Sequence, residues 1–114
     1  MKEFVMIIRL EELPEVKFST EDMNAGMAIW EKWMDGIIAK NILVGRGNRL
    51  NKKGRTVRNG KVVTNGPFAE IKEIIAGYIV IRANSIDEAA EIASGAPLVG
   101  AGSIEIRGLY SEGD

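Results

Sequence analysis

Residues 3 to 10, EFVMIIRL, alternate along an extended chain. Phe4, Met6, Ile8 and Leu10 fall on one face, and Val5, Ile7 and Arg9 on the other. Both faces are largely apolar, so this first strand is expected to be covered on both sides. The period then lengthens. Met23, Met27, Trp30, Met34 and Ile37 recur at steps of three and four, with Ile29 and Trp33 widening the stripe. Ser19 and Asp22 form a capping-box pattern and Phe18 can staple onto Met23, so a helix is predicted from near Ser19 to Lys40-Asn41. Ile42 to Gly45 reads as a second strand.

The pattern next turns polar and glycine-rich. Val57-Arg58-Asn59-Gly60-Lys61-Val62 places Asn-Gly between β-formers, which predicts a hairpin closed by a type I′ turn. AGYIVIRA, residues 76 to 83, is a further strand, with Ile79 and Ile81 on one face and Tyr78, Val80 and Arg82 on the other. Ser85 and Glu88 form a second capping box before the apolar positions Ile86, Ala89, Ala90 and Ala93, and Gly95 with Pro97 stops that helix. SIEIRGLY, residues 103 to 110, closes the chain as a strand, with Ile104 and Ile106 alternating against Glu105 and Arg107.

This order, β-α-β-(hairpin)-β-α-β, predicts an α+β fold, a ferredoxin-like sandwich formed as one domain over residues 1–114. A chain of 114 residues is long enough to bury a core of its own. No apolar run approaches the ~18 residues of a membrane span. The N-terminal segment reads as a strand and not as a signal peptide.

Composition narrows the chemistry. The chain has no cysteine and no histidine. Thiol nucleophiles, disulfides, thiolate or imidazole metal sites and histidine-based triads are therefore excluded. Acid–base work would fall to Asp, Glu, Lys or Tyr. A cytoplasmic protein without metal or cofactor is expected. Net charge is only −1, but no acid occurs from Gly36 to Ala69, where Lys40, Arg46, Arg49, Lys52, Lys53, Arg55, Arg58 and Lys61 lie. That segment lacks interleaved aromatics for base stacking, so a solvated hairpin is expected there and nucleic-acid binding is not.

Facing parity suggests where a ligand would sit. If the first and third core strands are neighbours running parallel, Arg9 and Arg82 lie at the same end of the sheet. Glu105 then opens the last strand beside them. Three charges at the edge of a greasy sheet face suit a pocket for an acidic or oxygenated small molecule. The same residues also fit a structural Arg–Glu pair at a dimer seam. The apolar part of the face needs a cover, and a second copy packed sheet to sheet would supply it.

One stretch carries a more specific likeness. TNGPFAEIKE, residues 64 to 73, resembles the DGPFAETKE motif of the YCII-related, or DGPF-domain, proteins. FVMIIR, LVGRG, VRNGKVVTNGPF, AGYIVIRANSIDEAAEIASGAP and IEIRGL follow that family's layout, so the resemblance covers nearly the whole chain. It implies a ferredoxin-like dimeric α/β barrel with a ligand cleft. Similar barrels include small-molecule isomerases, monooxygenases and dehalogenating enzymes, and some relatives accompany sigma-factor-like regulators. It therefore leaves open an isomerase- or lyase-like enzyme using carboxylate and arginine, or a non-enzymatic regulatory or structural module tied to transcription.

Gly66, Pro67, Phe68, Ala69, Glu70, Lys72 and Glu73 match the motif, whereas its leading Asp is Asn65 here and its Thr is Ile71. Asn65 can hold a turn but cannot act as a base. Proline has no N–H, so Pro67 is expected to end the strand ladder and Phe68 to anchor the following loop. The ligand-binding candidates are Arg9, Asn65, Glu70, Lys72, Arg82 and Glu105. Were the protein an enzyme, Glu70 or Glu105 would be the base, with an arginine stabilising negative charge as a proton leaves carbon beside a carbonyl.

Overall fold

The computed structural model of the chain describes residues 1–11, 19–51, 53–64, 73–98 and 102–109. Its elements are β1 (Lys2–Glu11), α1 (Thr20–Ala39), β2 (Leu43–Arg49), β3 (Thr56–Arg58), β4 (Lys61–Thr64), β5 (Glu73–Ala83), α2 (Ile86–Ser94) and β6 (Gly102–Gly108). Four strands make one sheet in the order β2-β5-β1-β6, and β3 pairs with β4 in a separate two-stranded sheet. This architecture is α+β with a mostly antiparallel sheet, compatible with a ferredoxin-like sandwich.

Helix ends form where the sequence places them. The Ser19 hydroxyl accepts from the Asp22 N–H at 3.0 Å, and the Ser85 hydroxyl accepts from the Glu88 N–H at 3.1 Å. Glu88 completes its box one residue early, accepting from the Asn84 backbone N–H at 3.2 Å. At the far end of α1, Asn41 takes φ +59° and the Ile42 N–H reaches the Ile37 carbonyl at 2.9 Å. The Asn41 N–H bonds Ile38, completing a Schellman closure. The staple expected between Phe18 and Met23 lies outside the described side chains.

The predicted parity of β1 and β5 holds. Phe4, Met6, Ile79 and Ile81 are buried against Met34 and Ile37 of α1 and Ala89 and Ala93 of α2. Ile104 and Ile106 of β6 pack beside them. Fully burying Phe4, Met6 and Ile81 contributes roughly 1.5–3 kcal/mol each. Not every position of the α1 stripe is core: Met27 and Ile29 are exposed. Trp30 and Trp33 are partly buried and pack on each other, ring centroids 5.1 Å apart and tilted by 42°.

The hairpin forms as read. Arg58 pairs with Lys61, and Asn59 and Gly60 take φ +52° and +78°, as a type I′ turn requires.

Strand direction is different from the expectation. β1 pairs with β5 antiparallel, Phe4 opposite Ile81 and Val5 opposite Val80. β2 also runs antiparallel to β5, so β1 and β2, joined through α1 with β5 between them, share one direction, and β5 and β6 the other. A helical crossover returns the chain to its starting end, so it is β1 and β2 that share a direction.

Two strands are longer than read because bulges break their alternation. β5 starts at Glu73, with a shift where Ile8 pairs with Gly77 but Arg9 pairs with Ile75. β2 runs on to Arg49 through two such shifts. Within it Gly47, at φ +57°, lets the Tyr78 carbonyl approach so closely that an added Cβ would lie 1.8 Å from its oxygen.

Candidate functional site

Both helices pack on one face of the sheet, and among the described residues no element packs on the other, the open face. Cross-strand partners share a face, so the register assigns that open face to Glu3, Val5, Ile7 and Arg9 of β1, Tyr78, Val80 and Arg82 of β5, and Ser103, Glu105 and Arg107 of β6. Val5, Ile7 and Val80 are half-buried at its centre, and Tyr78 and Ile75 are exposed at its margin.

Charges collect at one end. Arg9 Nη2 donates to Glu105 Oε1 at 3.1 Å, and Arg107 Nη1 donates to Glu105 Oε2 at 3.3 Å. The Arg107 and Arg9 guanidiniums together hold the Glu105 carboxyl below its ordinary value of 4.5. The arrangement is an ionised carboxylate between two cations, with Arg9 the more buried at 27% side-chain exposure against 69% for Arg107. A carboxylate so placed is a weak base, which is the opposite of what proton abstraction asks of it.

Arg9 and Glu105 are therefore brought together as expected, but Arg82 does not join them. Arg82 lies opposite Glu3, whereas Arg9 lies opposite Ile75. Six residues of β1 separate the two register positions, roughly 20 Å of strand. The correction follows from the antiparallel pairing of β1 and β5, which sends the two arginines to opposite ends. Arg82 has its own peculiarity: its Nε is buried and, among the described residues, has no hydrogen-bond partner.

Asn65, Glu70 and Lys72 lie outside the described residues, as does the predicted anchoring of Phe68. Sequence reasoning placed Arg107 on the right face without singling it out. Its i, i+2 spacing from Glu105 on one strand was the available signal. Glu3, opposite Arg82, was missed too, because its partner depended on strand direction.

On the outer side of the sheet, Arg46 of β2 pairs with Glu31 of α1 at 3.1 Å, both exposed. Arg49 contacts the Met27 sulfur at 3.6 Å. Part of the basic segment is thus tied down onto the first helix. Among the described residues, no three carboxylates converge as a metal site and no helix is long and apolar enough to cross a membrane.

Residues 39–111 match the YCII-related domain. The chain belongs to the YCII-related family. The YCII match runs from the end of α1 through β6, and so takes in Arg82, Glu105 and Arg107 but not Arg9. It also spans the 64–73 motif that carries the sequence resemblance. No curated protein matches the chain.

Proposed function

We propose that this YCII-related protein forms a homodimer through its open sheet faces and binds a small acidic or oxygenated metabolite in the cleft between them. The observation that carries the proposal is the Arg9–Glu105–Arg107 cluster beside the half-buried floor of Val5, Ile7 and Val80. Apolar walls with a few fixed charges are the usual make-up of a small-molecule site. Val5, Ile7 and Val80 form an apolar strip on that face, which a second copy packed sheet to sheet would cover. Packing two such faces together would bring both layers of helices outside, the arrangement of a dimeric α/β barrel.

Glu105 supports binding ahead of turnover. It is held ionised by two guanidiniums, and Asn65 replaces the acid that leads the family motif. Arg9 and Glu105 would line one end of the cleft and Arg82 the other, with Asn65, Glu70 and Lys72 as further candidates from the motif segment. These two observations favour a sensing or regulatory module over an isomerase- or lyase-like enzyme.

The test is a thermal-shift screen of the full chain against small carboxylates and aromatic acids. A ligand present at a hundred times its dissociation constant stabilises the fold by about 2.7 kcal/mol. Stabilisation that Glu105→Gln weakens supports the cleft. No stabilisation across the panel would overturn it and favour a purely protein-binding module.

A further inference from the structure

We infer that Arg82 is the residue that takes the ligand's acidic group, and that the ligand is an organic monoacid whose apolar body lies over Val80 and Val5. The inference rests on the open face being the ligand cleft and assigns the roles within it.

The arginines of the open face are not equivalent. Arg9 and Arg107 both spend donors on Glu105. Arg82 keeps its Nε buried and, among the described residues, unbonded. Buried donors are almost always satisfied, so one left open asks for an acceptor. The side chain has no route to the helical face. Its neighbours Ile81 and Ala83 are both 0% exposed, and its backbone N–H is fixed to the Ile42 carbonyl at 2.8 Å. Strand parity therefore puts the Arg82 side chain on the open side of the sheet, with Nε shielded beneath its surface.

The neighbourhood sets the ligand class. A guanidinium presents Nε–H and a terminal N–H side by side, a fork matched to the two oxygens of a carboxylate. Glu3, directly across on β1, shares this face and carries one negative charge. A second acidic group on the ligand would be repelled by it, which selects a monoanion. Beyond Arg82 the face turns apolar, with Val80 next along β5 and Val5 opposite it. Gly45 is the partner of Val80 on β2, and with no side chain there the floor above Val80 stays clear; an added Cβ would come within 3.9 Å of Val80. A flat or branched hydrocarbon body fits that floor.

The probe is benzoate, with benzamide as its uncharged counterpart. In protein labelled with ¹⁵N-arginine, the Arg82 Nε–H signal is expected to shift in a saturable way with benzoate and not with benzamide. Arg82→Gln is expected to weaken the benzoate-induced thermal shift at least tenfold in apparent affinity, and Arg46→Ala, on the outer side of the sheet, to leave it unchanged. An unmoved Arg82 signal while benzoate stabilises the wild type would overturn the assignment and leave the cleft standing. No effect of any carboxylate on the wild type would overturn both. Because the signal is read in the wild type, the outcome does not depend on Arg82→Gln folding.

Discussion

Arg9 reaches Glu105 on the diagonal. Glu105 is paired in register with Ile7, and Arg9, two residues on and paired with Ser103, donates back to it at 3.1 Å. The contact ties β1 to β6 on the open face, and Arg107 joins it from the same strand as Glu105 at 3.3 Å.

This pairing should be visible in the pH dependence of stability. The Glu105 carboxyl titrates below its ordinary value of 4.5 in the folded chain, Arg107 and then Arg9 being the causes. The unfolded chain therefore takes up this proton first as pH falls. The stabilisation is complete above the ordinary value and is lost as pH drops through it to the lowered folded value. Chemical denaturation from about pH 6 to about pH 3 should show a steeper loss for the wild type than for Glu105→Gln. Equal slopes would mean that the two guanidiniums do not hold the group.

Gly47 offers a sharper structural test. It combines φ +57° with a Cβ position 1.8 Å from the Tyr78 carbonyl oxygen. Gly47→Ala should cost about 2–4 kcal/mol in denaturant unfolding, since β2 must part from β5 to admit the methyl group. Gly60→Ala makes a useful comparison. Its φ is +78° but nothing lies within 4 Å, so it should cost about 1–2 kcal/mol from backbone strain alone.

The dimer is addressed by a charge on the floor of the open face. Ile7 is half-buried there, opposite Tyr78 and Glu105. Ile7→Asp should leave the helical secondary structure intact, because the core residues Phe4 and Met6 point the other way. It should convert a two-chain species to a single chain in sedimentation equilibrium, since an unpaired buried charge is costly at an interface. A wild type that sediments as one chain at all concentrations would sink the sheet-to-sheet packing.

Much of the fold was legible because local rules act locally. Ser19 and Ser85 cap their helices, Asn59-Gly60 turns its hairpin, and the two-residue period of Phe4 and Met6 marks the core face. The site was legible in part: the Arg9–Glu105 contact follows from parity and from β6 lying beside β1. Strand direction is a property of the whole topology, and misreading it put Arg82 at the wrong end. Bulges hid the start of β5 and the end of β2, since a one-residue shift erases the alternation by which a strand is recognised. The end of the strand ladder expected at Pro67 lies outside the described residues.

The central claim is that an acidic ligand lies on the open face of the sheet. Methyl-labelled NMR of the full chain during a benzoate titration tests it most directly. Val5, Ile7 and Val80, all half-buried on that face, should shift together along one saturable curve, while Ile79 and Ile81, buried under the helices, stay in place. Shifts confined to Ile104 and Ile106, which border the shallow groove between α2 and β6, would place the ligand on the other side of the sheet and contradict the account.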